Sequence, residues 1–111
     1  MKIPEDAEIP ESKLTAYLLV PRTVDDKSAF LGQAGFGPSN WVLLRDELLR
    51  LIVRAEAIVD RRDVYGTFYR VEGTLAGPAG QKLEVVSIWL CGSLDGRYRF
   101  ITLKPNRRPR P

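Results

Sequence analysis

Apolar and polar positions along this 111-residue chain change period once. Up to Ile58 the apolar residues recur at helical spacing; beyond it they alternate in twos, with glycines as punctuation. Leu14, Tyr17 and Leu18 follow Pro10, which suits a first helical turn, and Pro21 ends that run. A second short helix is expected through Lys27, Phe30, Leu31 and Ala34, with Asp25 or Asp26 as its cap and Gly35 as its stop. After the Gly37-Pro38 turn, Ser39 or Asn40 caps the longest helix, Trp41 to about Ala57. Trp41, Leu44, Leu48, Leu51, Ile52 and Ala55 form its apolar stripe, widened by Val42, Leu49 and Val53. Arg45, Asp46, Glu47, Arg50 and Arg54 make up the opposite face, read as solvated, with an Asp46 to Arg50 pair one turn apart.

Four strands fit the second half, near residues 57–62, 65–76, 82–91 and 97–104. Gly77-Pro78-Ala79-Gly80 and Ser93-Leu94-Asp95-Gly96 are the two clear hairpin turns. The pattern predicts an α+β fold: N-terminal helices packed on one face of a four-stranded antiparallel meander. If both turns are four-residue loops, Ala76 faces Gln81 and Gly92 faces Arg97. That register turns Tyr65, Tyr69, Val71, Leu75, Val86, Ile88, Leu90, Ile101 and Leu103 toward the helices. The outer face then carries three cross-strand rows: Phe68, Trp89 and Phe100; Arg70, Ser87 and Thr102; Glu72, Val85 and Lys104.

Aromatics beside Arg70, Ser87, Thr102 and Lys104 have the composition of a surface that stacks bases and holds phosphates. The same composition also serves solubility or a protein contact, because exposed sheet faces often mix Arg, Glu and Thr. Lys27, at the start of the second helix, either points toward an anionic ligand or is a surface lysine.

Composition narrows the chemistry. There is no histidine, which removes Ser-His-Asp and Cys-His nucleophilic sites, imidazole zinc sites and two-histidine ribonuclease chemistry. No metal site or cofactor is expected. Cys91 is the single cysteine, and the N-terminal residues lack the basic-then-apolar order of a secretory signal, so a reducing cytoplasm is the expected compartment. Apolar runs fall far short of the ~20 residues that cross a bilayer, so no membrane contact is expected. The net charge of +3 is polarised: residues 1–26 sum to −3, and Lys104, Arg107, Arg108 and Arg110 crowd the last eight positions among prolines. The reading is one domain over residues 1–104 and a basic, proline-rich tail over 105–111, and the excess charge belongs to the tail more than to the fold.

Asp26-Lys27-Ser28-Ala29-Phe30-Leu31, Ala34-Gly35-Phe36, Asn40-Trp41, Tyr65-Gly66-Thr67-Phe68-Tyr69, Gly73-Thr74-Leu75-Ala76-Gly77-Pro78, Val85-Val86-Ser87-Ile88-Trp89 and Arg99-Phe100-Ile101-Thr102 follow one another in an order that resembles a small bacterial domain family of unknown function. The resemblance spans nearly the whole chain. Members of that family occur as stand-alone proteins and as C-terminal modules of polymorphic toxins. Their helices-then-strands order is similar to the RelE, colicin and barnase-like metal-independent ribonucleases, whose sites lie on the exposed side of such a sheet, an analogy of fold alone. Carried over, the resemblance marks Lys27, Tyr65, Gly66, Thr67, Arg99 and Thr102. This chain departs from the pattern at Lys104, where the family more often has a tyrosine before the closing proline, and at Leu103, which replaces a smaller residue.

The function the resemblance implies is RNA cleavage by 2′-hydroxyl attack, with catalytic candidates Arg70, Glu72, Thr102 and Lys104 and binding candidates Lys27, Phe68, Ser87, Trp89 and Phe100. Arg70 and Lys104 would neutralise charge, and the base would be Glu72 or a perturbed tyrosine or lysine. The alternative is a non-catalytic module whose aromatic face binds a small cognate protein or a second copy of the chain. RNA, a cognate protein and a homodimer partner are thus the candidate partners.

Overall fold

The computed structural model describes residues 1–23 and 26–107. Asp25, one of the two proposed caps, and Arg108 to Pro111 of the basic tail lie outside the described residues. The chain builds helices α1 (Glu11–Lys13), α2 (Ser28–Gly32) and α3 (Trp41–Arg54), then strands β1 (Ala57–Asp63), β2 (Gly66–Ala76), β3 (Lys82–Gly92) and β4 (Tyr98–Pro105). A π-helical segment, Leu14–Leu18, continues α1, and a 3-10 turn, Pro38–Asn40, leads into α3. The strands form one antiparallel sheet in the order β1-β2-β3-β4, with the helices N-terminal to it: an α+β fold. No helix among the described residues is long and apolar enough to cross a membrane.

Element ends follow local chemistry. Asp26 accepts hydrogen bonds from the Ser28 N–H (2.8 Å) and Oγ (2.6 Å) at the start of α2. Leu44, Leu48, Leu51 and Ile52 of α3 are buried and meet Val71, Leu75, Leu83, Val85, Trp89, Phe100 and Leu103 in one core. Gly73 lets α3 lie close over β2, since a Cβ there would displace the Leu51 Cδ1 methyl. The first nine residues, to which the sequence assigns no element, run from the β1 side of the molecule to the β4 edge. Ala57 N–H donates to Met1 O (2.7 Å), and near the other end Glu8 N–H donates to Tyr98 O (2.9 Å) and Phe100 N–H to Glu8 O (2.7 Å). Ile3 and Ala7 are buried along this path.

The strand positions match the sequence reading closely; the register between β2 and β3 does not. Ala76 pairs with Lys82, one residue beyond the expected Gln81. The reason is the turn. Gly77 N–H donates to Gln81 O (3.0 Å) and Gly80 N–H to Gly77 O (3.0 Å), with Gly80 at φ 88. Pro78, Ala79 and the left-handed Gly80 are a three-residue loop closed by the Gly77–Gln81 pair, so five residues, not four, separate Ala76 from its partner Lys82. The slip inverts β3. Val85, Ser87 and Trp89 face the helices, whereas Val86, Ile88 and Leu90 face outward opposite Glu72, Arg70 and Phe68.

At the next hairpin the expected register holds, with Cys91 opposite Tyr98 and Trp89 opposite Phe100, so Phe100 follows Trp89 into the core. A bulge then inserts Ile101: Ile88 faces Thr102 and Val86 faces Lys104. The two one-residue shifts cancel beyond Ile101. Thr102 and Lys104 therefore share the outer face with Arg70 and Glu72, while Trp89 and Phe100 do not.

Three expectations for α3 are corrected, the first being its end: it stops at Arg54 rather than near Ala57, because Ala55 is already extended and Ala57 opens β1. Glu47 is not solvated: it is buried at 6% exposure, its Oε1 accepts the Ala76 N–H (2.7 Å) and its other oxygen pairs with Arg50. Asp46 pairs with its neighbour Arg45 (3.3 Å), not with Arg50. At the other end of the domain, Pro105 closes β4 and Asn106 N–H donates to Glu84 O (2.9 Å), so strand-like order runs past residue 104.

Candidate functional site on the outer sheet face

The exposed aromatic platform expected from the sequence does not form. Trp89, Phe100 and Ser87 are each fully buried on the helix side, so none of the three is placed to touch a ligand on the outer face. Trp89 and Phe100 pack edge to face at 5.3 Å between ring centres. Ser87 Oγ donates to Val71 O (2.8 Å) and accepts from Trp89 Nε1 (2.9 Å), which satisfies a buried hydroxyl and a buried indole at once. Phe68 does stand on the outer face, yet it is 7% exposed, because the Arg61 guanidinium lies 3.9 Å above its ring.

The remaining candidates come together. Reading across the outer face from β2 to β4, one row is Arg70, Ile88 and Thr102, and the next is Glu72, Val86 and Lys104. Each row spans two strand spacings, roughly 10 Å, so polar groups flank a central aliphatic strip. The Arg70 side chain is 40% exposed although its Nε is dry. That Nε lies 3.1 Å from Glu72 Oε2 without hydrogen-bond alignment, so the contact is an ion pair. Glu72 Oε1 accepts from Asn106 Nδ2 at 3.3 Å, a neighbour that sequence reasoning assigned to the tail. Lys27 arrives from outside the sheet: its Nζ donates to Thr102 Oγ1 (3.0 Å) and stands 5.9 Å from the Tyr17 ring centre. The Arg22 guanidinium covers the same ring at 4.6 Å. Lys104 is exposed at the end of this group.

The face thus sets the Arg70–Glu72 pair on one side of an apolar strip and Thr102, Lys27 and Lys104 on the other, with a second carboxylate, Glu84, in the next row bonded to Thr74. Among the described residues no group of three His, Cys, Asp or Glu side chains is disposed to hold a metal ion.

Beyond the row of Phe68, Leu90 and Arg99 the tips of two hairpins are laced together. Ser93 N–H donates to Tyr65 O (2.9 Å) and Ser93 Oγ to Val64 O (2.9 Å). Backbone N–H of Arg97 and the Arg99 guanidinium, 2.9 Å from Asp95 Oδ2, hold the Asp95 carboxyl below its ordinary range. Burial pushes Asp63 up, but the Tyr65 N–H and Arg61 outweigh it and leave that carboxyl lowered as well. On the helix side, burial, followed by the Cys91 thiol and Tyr69, pushes the Tyr98 hydroxyl up to about 12.

Comparison with known proteins adds two findings. A chain of the contact-dependent growth inhibition toxin - immunity protein complex from Klebsiella pneumoniae 342 superimposes with a TM-score of 0.71 at 21% identity, covering 90% of this chain and 100% of that one. At that identity the likeness is one of fold. No curated protein matches the chain. A family model, Domain of unknown function (DUF6883), matches residues 2–107. Spanning nearly every residue of the fold, that match means that the chain belongs to the DUF6883 family.

Proposed function

We propose that the chain is a toxin-type ribonuclease domain that works without a metal ion and cuts RNA on the outer sheet face. The observation that carries this reading is the grouping of Arg70, Glu72, Thr102 and Lys104 on one face, with Lys27 bonded to Thr102. The fold likeness to a chain of a contact-dependent growth inhibition toxin - immunity protein complex is consistent with a toxin-type role. In the proposed reaction Glu72 takes the proton of a ribose 2′-hydroxyl as its oxygen bonds to the adjacent phosphorus. The bond from phosphorus to the 5′-oxygen breaks, and the Lys104 ammonium protonates the leaving oxygen. The products are a 2′,3′-cyclic phosphate and a 5′-hydroxyl end. Arg70 stabilises the charge on the phosphoryl oxygens, and Thr102 with Lys27 binds the neighbouring phosphate.

The test is induction of wild-type and Arg70→Ala chains in a bacterial host at matched soluble levels. Growth arrest with defined RNA cuts, absent in the variant, is the expected outcome; intact RNA and unchanged growth with the wild type would overturn the reading in that host.

A second reading is a non-catalytic module that binds a small cognate protein, favoured because the fold neighbour belongs to a complex of two proteins. Its aromatic form is withdrawn, since Trp89 and Phe100 are in the core. Any such contact would use the charged outer face itself.

A further inference from the structure

We infer that the cleft between the two laced hairpin tips is a nucleobase subsite, a reading that rests on the proposed RNA substrate. Val64, Tyr65, Leu90, Leu94, Asp95 and Arg99 line it, and its volume is about 290 Å³, room for one base. Three features single it out. Leu94 (101%), Val64 (84%) and Tyr65 (69%) have the highest exposures of any large apolar side chains among the described residues, and all three ring this one cleft. Placing such groups in water is unfavourable in the free protein, and a planar apolar ligand relieves it.

The cleft also has a polar edge. Arg99 offers N–H donors and Asp95 carboxylate acceptors, held side by side at 2.9 Å. A base presents acceptors and donors of its own at that separation, while its face needs only an aromatic partner such as Tyr65. The backbone that carries the walls is pinned, because Ser93 ties both tips together and Asp63 Oδ1 accepts the Tyr65 N–H at 2.8 Å. Such preorganisation lowers the ordering cost of binding.

Position completes the argument. Leu90 and Arg99 occupy the outer-face row next to Arg70 and Thr102. Rows on one face are two residues apart, about 7 Å, so the near edge of the cleft lies one row from Arg70. Tyr65 stands five positions from Arg70, roughly 16 Å along the strand, so an RNA strand whose phosphate is held by Arg70 reaches the stacking position with a base further along it, not with the adjoining one. With the expected aromatic row buried, Tyr65 takes over the stacking role that the sequence assigned to Trp89 and Phe100.

The test titrates AMP, GMP, CMP and UMP, with ribose 5-phosphate as the base-free control, into the full-length isotope-labelled chain and follows backbone amide shifts. Saturable shifts at Tyr65, Ser93, Leu94 and Asp95 with nucleotides but not with ribose 5-phosphate are expected, weakened at least tenfold in Tyr65→Ala and in Leu94→Ser. Both substitutions are at exposed positions, and unchanged shifts elsewhere report that the fold is kept. Absent shifts, equal shifts with ribose 5-phosphate, or undiminished binding in both variants would overturn the subsite. RNA cleavage assayed in parallel separates the two readings: cleavage without nucleotide shifts retires the cleft alone, and base-dependent binding beside intact RNA keeps the cleft and retires the cleavage.

Discussion

Two buried polar side chains show what single residues contribute here. Ser87, at zero exposure, bridges the Val71 carbonyl and the Trp89 indole, so a residue that reads as surface chemistry is a core connector. Glu47 ties α3 to the end of β2 by accepting the Ala76 N–H at 2.7 Å. In Glu47→Ala that N–H, on an exposed residue at the end of β2, exchanges the carboxylate for water, and the net loss of such a hydrogen bond is about 0.5–1.5 kcal/mol. Urea unfolding is expected to report a loss of that size, with Glu47→Gln close to wild type because its carbonyl oxygen still accepts. Equal losses in both variants would assign the effect to the Arg50 ion pair instead. The sequence hid both roles for the same reason: a polar side chain in an amphipathic element is assigned to water unless its partner is known, and both partners are backbone groups distant in sequence.

At the scale of elements, the boundaries of three helices and four strands were legible because the period change and the glycines mark them. The faces were not. β3 is apolar on both sides, with Val85, Ser87 and Trp89 alternating against Val86, Ile88 and Leu90, so its pattern does not choose an orientation. Orientation is then decided by one residue in the turn. Gly80 after Gly77-Pro78-Ala79 is the available signal, since a left-handed glycine at that place marks a three-residue loop. The bulge at Ile101 left no comparable mark, and it is what returns Thr102 and Lys104 to the side of Arg70. Gly73 fixes the helical layer over the sheet. Gly73→Ala would press a methyl group on Leu51, and overpacking of that kind costs typically ~1–3 kcal/mol. Thermal unfolding of this variant is expected to fall, and Gly73→Ala with Leu51→Ala is expected to lose less than the two single changes together; strict additivity would contradict the close approach of α3 and β2.

For the whole molecule, the N-terminal segment and the helices cover one side of the sheet and leave the other open, with charged groups flanking an aliphatic strip. Four of the residues singled out for catalysis meet on that open side, and the DUF6883 match over residues 2–107 makes the entire fold, and no smaller piece of it, the family unit. The central claim is that this side cuts RNA. Its most direct test is cleavage of purified RNA by purified protein, comparing the wild type with Arg70→Ala and Lys104→Ala after their melting temperatures are shown to agree. Loss of a charge-stabilising group such as Arg70 typically lowers rates by about 10²–10³, and loss of a general acid such as Lys104 by about 10²–10⁴. The account predicts a drop of that order in each variant and 2′,3′-cyclic phosphate ends on the wild-type products. Wild-type rates in Arg70→Ala, or uncut RNA with the wild type, would contradict it.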